Sequence, residues 1–137
     1  MPEEEKKEDP SLYEQFGGDS KMEIFLDNLI EDWFNDSEIG PYHESLKHEE
    51  HKLNLFRAKL HSFLKNLMDG SRFYIGVPLS EVHWPLCLTD SMFDKSVTMI
   101  IAAFKKTRPK LQVLREFSKR LSNIRDMILR PQSEIKR

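Results

Sequence analysis

His83 closes the segment Phe73-Tyr74-Ile75-Gly76-Val77-Pro78-Leu79-Ser80-Glu81-Val82 and is followed by Trp84-Pro85-Leu86. Pro78 is suited to open a short helix, because its missing N–H falls among the donors that lack a partner there. Pro85 disfavours helical geometry in the residue before it, so that helix must stop near Val82 to Trp84. The pattern predicts an imidazole held at the end of a short, stiff helix of about two turns. Histidine in that setting serves as an axial ligand to iron or another metal, binding through a neutral ring nitrogen.

The other reactive side chains make weaker cases. His48 and His51 lie among Glu49, Glu50 and Lys52, the composition of a solvated helix entrance. His43 is likewise not read as a metal site, and His61 is expected to point away from the apolar stripe of its helix, into solvent. Trp84 is read as packing beside His83. Cys87 is read as a small core or loop residue, since a reactive thiol needs an electropositive setting. The run Lys105-Lys106-x-Arg108 suits a helix C-terminus favoured by its dipole. No phosphate loop, nucleophile–base motif or His-Glu-x-x-His occurs in the sequence.

Helical spacing dominates the elements that must position His83. Leu12, Tyr13 and Phe16 predict a short first helix stopped at Gly17-Gly18. Asp19 or Ser20 is suited to cap a second, with Met22, Phe25, Leu26, Leu29, Ile30 and Trp33 on one stripe. Asp36 to Leu46 contains Gly40-Pro41 and predicts a turn or short helix. A third long helix carries Leu53, Phe56, Leu60, Phe63, Leu64 and Leu67 and ends at Asp69-Gly70. After the His83 segment, Thr89 or Asp90 starts a helix with Phe93, Val97, Ile100, Ile101 and Phe104. Pro109 interrupts it, and a last helix carries Leu114, Phe117, Leu121, Ile124 and Ile128. The expected fold class is all-α.

Composition narrows the functional classes. The chain has 137 residues, 39% hydrophobic and 32% charged, enough for one domain with a real core. A net charge of -2 argues against nucleic acid or an anionic membrane surface as partner. The single cysteine excludes a disulfide framework within the chain and suits a reducing, cytoplasmic compartment. No apolar run approaches the roughly 20 residues that span a bilayer, and no signal-peptide pattern appears. Residues 1–10 are charged and expected to be a disordered tail, followed by a domain over 11–129 and a C-terminal tail over 130–137.

Four motifs, in order, carry a resemblance to a known family: Ser11-Leu12-Tyr13-Glu14-Gln15-Phe16-Gly17-Gly18; Phe63-Leu64 with Asp69-Gly70; Tyr74-x-Gly76-x-x-Leu79-x-x-x-His83; and Leu88-Thr89-Asp90-x-x-Phe93-Asp94. The chain resembles a truncated haemoglobin, the small two-over-two helical globin, closest to the group-one type. The resemblance implies a truncated globin fold around haem b, with His83 as proximal ligand to the iron. It implies cofactor contacts from Ile30, Phe56, Lys59, Leu60, Phe63, Tyr74, Phe93 and Val97. A diatomic gas (CO, NO or O2) is the implied ligand of a monomer, with an unidentified reductase as a further partner.

On the distal side the chain departs from that pattern. The family commonly has a Phe-Tyr pair on its B helix, whose hydroxyl donates to bound oxygen. Counting back from Asp36, the matching pair is Leu29-Ile30. The usual distal positions of the E helix fall on Phe56 and Leu60. Ile30, Phe56 and Leu60 carry no donor, so bound oxygen loses about 1.5–3 kcal/mol of charge-assisted hydrogen bonding. Carbon monoxide or nitric oxide loses less. Lys59 stands beside this set, and family members use a lysine there either as a sixth iron ligand or as partner of a haem propionate. Deprotonating a lysine for iron costs about 4.6 kcal/mol at pH 7, against up to about 1 kcal/mol gained from an exposed ion pair without that cost. Ser96 and Val97 border the pocket, with packing the expected role. The alternatives are a six-coordinate redox or sensor protein with Lys59 on iron, and an enzyme of nitric oxide dioxygenase or peroxidase type.

Overall fold

The computed structural model describes residues 10–69 and 89–124, and these are helical with no strand among them. The elements are α1 (Leu12–Phe16), α2 (Gly18–Asn35), a 3-10 helix (Gly40–His48), α3 (Glu50–Asp69), α4 (Asp90–Lys105) and α5 (Leu111–Ser122). His83, Tyr74, Trp84, Cys87 and both expected tails beyond Pro10 and Ile124 lie outside the described residues, as does the expected last turn at Ile128.

Local sequence accounts for most boundaries. The Ser11 hydroxyl accepts from the Glu14 N–H and starts α1, and Thr89 does the same for α4 through Met92. Gly17 ends α1 at φ 126°, and a Cβ there would lie 2.3 Å from Lys21 Cγ. The start of α2 differs from the expectation: Gly17 is its N-cap and no side chain caps it. The helix begins at Gly18, so Asp19 and Ser20 lie inside its first turn, where Asp19 accepts from the Tyr13 hydroxyl and Ser20 donates to the Gly17 carbonyl. Thr107, Arg108 in left-handed geometry (φ 58°) and Pro109 turn the chain from α4 into α5.

The core forms where α1, α2, α3, α4 and α5 meet. Phe104 stacks on Phe117 at 4.0 Å and on Phe16 at 4.7 Å, while Phe25 meets the rings of Phe104 and Phe117 edge-on at 5.4 and 5.9 Å. Met22, Leu26, Leu29, Leu64, Ala103, Val113 and Leu121 complete it with no exposure. Helices α3 and α4 both pack on α2 and α5. Among the described residues they barely touch one another.

The corner after α2 is pinned by one carboxylate. Asp36 accepts from the backbone N–H groups of Glu38 (3.0 Å) and Ile39 (2.9 Å), and pairs with Lys95 of α4 at 2.9 Å. The Ile39 N–H first, and then Lys95, hold its carboxyl below the ordinary range. Gly40 is buried so close to α2 that a Cβ would lie 2.9 Å from the Phe34 carbonyl oxygen. Only glycine fits that approach, and it delivers the 3-10 helix against α2 and α3.

Candidate functional site

The inner surface of α3 is divided. Leu64 and Met68 are buried in the core, whereas Phe56, Leu60, Phe63 and Leu67 are only half-buried against its edge. Their spacing of four, three and four residues makes one continuous face. On α4, Phe93, Ile100, Ala103 and Phe104 are buried, while Val97 and Ile101 are half-buried at the margin. Since α3 and α4 barely meet, two apolar faces stay partly uncovered at the edge of one core. Apolar walls of this kind fit a flat hydrophobic macrocycle such as haem. The structure brings Phe56, Leu60, Phe63, Phe93 and Val97 to these two faces.

From α2, Leu29 is fully buried in the core cluster, whereas Ile30 is 8% exposed and stands outside it. Leu26, one turn before Ile30, is also fully buried. None of the three has a donor, so a one-turn change of register leaves the apolar character of this helix face unaltered. Lys59 is exposed on the flank of α3, and Ser96 is half-buried.

The structure adds two residues to this neighbourhood. Trp33 and His43 lie in an offset stack, ring centres 5.6 Å apart and planes 14° apart. Phe56 meets His43 at 5.0 Å and Trp33 at 6.3 Å. The Trp33 Nε1–H is buried and has no hydrogen-bond partner among the described residues, at a cost of about 1–3 kcal/mol while it stays unpaired. The available sequence signal was the one indole N–H on an otherwise apolar stripe. His43 gave none, because its position depends on the corner at Asp36 and Gly40.

His61 also departs from its expected exposure, its side chain being 27% exposed. It sits where α1, α2 and α3 converge, 3.4 Å from the Tyr13 hydroxyl, 3.8 Å from Asp19 and 3.9 Å from Glu23. Tyr13 donates to Asp19, and the Lys65 ammonium lies 5.2 Å from the centre of its ring. Burial first, and that hydrogen bond second, push the Tyr13 phenol well above its ordinary value. The same bond holds Asp19 below its own. Arg57 joins α3 to Glu23 and Asp27 of α2, both at 2.7 Å. These contacts fix α3 on α1 and α2.

A cavity of about 500 Å³ lies beyond, lined among others by Leu12, Gln15, Leu67, Met68, Glu116 and Arg120. The Arg120 guanidinium donates to the Leu67 and Met68 carbonyls at 3.0 and 2.8 Å, closing the C-terminal end of α3. None of the residues expected to touch a cofactor lines it. Among the described residues no three His, Cys, Asp or Glu side chains converge to hold a metal, and no helix is long and apolar enough to cross a membrane.

Comparison with known proteins agrees with this architecture. The family model described as bacterial-like globin matches residues 11–130. No curated protein matches the sequence. Among solved structures, the truncated haemoglobin of Tetrahymena pyriformis in its Fe(III) form superposes with a TM-score of 0.75 at 21% identity, over 88% of this chain and 98% of that one. The 2/2 haemoglobin of Synechococcus sp. PCC 7002, in the cyanomet state with covalently attached haem, gives 0.76 at 16% identity, over 89% and 100%. At these identities the likeness is one of fold.

Proposed function

The chain belongs to the bacterial-like globin family, and from that premise we propose that it is a haem-binding globin that takes up a diatomic gas at iron held by His83. The observation that carries this reading is the family match across residues 11–130, which includes the histidine segment. Haem supplies reversible ligand binding at its iron. The two solved relatives, one an Fe(III) form and one with haem attached, support the same cofactor. Haem b, held without a covalent bond, is the form proposed here.

Phe56, Leu60, Phe63, Val97 and Phe93 would hold the macrocycle by apolar contact, excluding water from its faces. Ile30 would close the pocket from α2, and Tyr74 would contact the cofactor from the His83 side. The second ring nitrogen of His83 would donate to a backbone carbonyl and so fix the imidazole plane. Lys59, exposed on its helix flank, suits pairing with a propionate, which needs the ammonium form. Ile30, Phe56 and Leu60 offer bound oxygen no hydrogen bond, so these three side chains by themselves favour carbon monoxide or nitric oxide over stable oxygen binding, and ligand binding over a nitric oxide dioxygenase reaction. A monomer in the cytoplasm, re-reduced by a separate reductase, completes the proposal.

Absorption spectra of the chain loaded with haem test it. The parent should show a Soret band whose position responds to carbon monoxide, and His83→Ala should lose haem on gel filtration. A parent chain without a Soret band, or a His83→Ala variant with an unchanged one, refutes the assignment.

A further inference from the structure

We propose that the Trp33 indole N–H is the donor of a small-acceptor subsite on the distal side, with His43 as its positioning residue. The inference rests on the globin reading, in which Phe56 lines that side.

Every other buried side chain of the α2 stripe (Met22, Phe25, Leu26, Leu29 and Ile30) has no N–H or O–H to offer. Trp33 is 9% exposed, yet its Nε1–H has no hydrogen-bond partner among the described residues. Buried donors are almost always satisfied, so one left open in a site of this kind points to a ligand or water that belongs there. Its surroundings are the rings of His43 and Phe56, from the 3-10 helix and α3. In such low-dielectric company a single hydrogen bond is stronger than in water.

The indole donates at every accessible pH and cannot accept, so the subsite selects by acceptor strength. A small anion such as azide, or a polarised ligand such as oxygen, gains from it more than carbon monoxide does. His43 acts through the stack: its ring lies 14° from the indole plane and abuts Phe56, holding Trp33 between α2 and the 3-10 helix.

Azide is the probe, applied to the full chain with and without haem, with the indole nitrogens labelled with 15N. Trp33→Phe keeps the ring and removes the donor. It also distinguishes the Trp33 resonance from that of Trp84. In the ferric haem-loaded chain Trp33→Phe should weaken azide about tenfold; in the ferrous chain it should speed oxygen dissociation by a similar factor and leave carbon monoxide dissociation within twofold. His43→Ala should weaken azide as well, and His43→Phe, which preserves the stack, should restore it. Azide and oxygen within twofold of the parent in Trp33→Phe overturn the proposal. A chain that takes up no haem overturns the globin reading instead. The haem-free titration then decides the subsite: a saturable shift of the Trp33 resonance sustains it, and an unmoved resonance refutes it.

Discussion

Phe104→Ala tests whether the scaffold stands apart from the haem pocket. Phe104 has no exposure and lies between Phe117 at 4.0 Å and Phe16 at 4.7 Å, with Phe25 edge-on at 5.4 Å. Truncating a buried phenylalanine costs about 3–5 kcal/mol. Three ring partners, each worth about 0.5–1.5 kcal/mol beyond area burial, put this one in the upper half, near 4 kcal/mol. For 137 residues the unfolding entropy is about 0.29 kcal/mol/K, so the melting temperature should fall by roughly 14 °C. Far-UV circular dichroism melts of the haem-free and haem-loaded chains provide the assay. Ligand binding raises stability by an amount set only by affinity and concentration. The fall should therefore be similar in both forms, because the cluster lies in the core and not on the half-covered faces. A fall below about 5 °C, or one confined to the loaded form, would refute the reasoning.

Three further outcomes are expected. Lys59→Ala should leave the haem spectrum unchanged and weaken haem retention by no more than about fivefold, matching an exposed pair of up to about 1 kcal/mol; a change from low to high spin would instead assign Lys59 to iron. Asp36 is held below its ordinary range, so its contribution is complete above the unfolded value near 3.9 and is lost as pH falls through the folded value. Urea midpoints between pH 6 and 2 should therefore decline, and less steeply in Asp36→Asn; equal slopes would count against the cap. Tyr13 is shifted the other way, so its contribution is complete below about pH 10 and lost as pH rises. Tyr13→Phe should be less stable at neutral pH yet lose less between pH 9 and 11, and identical alkaline profiles would contradict that.

Local rules carried the helices because each signal is short in range. The Ser11 and Thr89 caps, the turn at Gly17 and the stripes at Phe25–Trp33 and Phe93–Phe104 depend on neighbours within a turn or two. Where a local rule failed, a distant side chain had intervened. Asp19 lies inside the first turn of α2 and takes the Tyr13 hydroxyl instead of capping, and His61 is only partly exposed because it packs against α1 and α2.

The candidate site divides along the same line. Residue type and spacing alone yielded the all-α class, the order of its motifs, the resemblance to truncated haemoglobins and the donor-free identities of Ile30, Phe56 and Leu60. Chemical identity and helical register are properties of the chain itself. Only tertiary structure decided that Phe56, Leu60 and Val97 stay half-covered, and that His43 stacks on Trp33 beside Phe56, where the buried indole N–H has no partner among the described residues. Those facts arise where α2, α3, α4 and the 3-10 helix come together. Satisfaction of a buried donor is a property of what surrounds it, and no spacing along one helix encodes that.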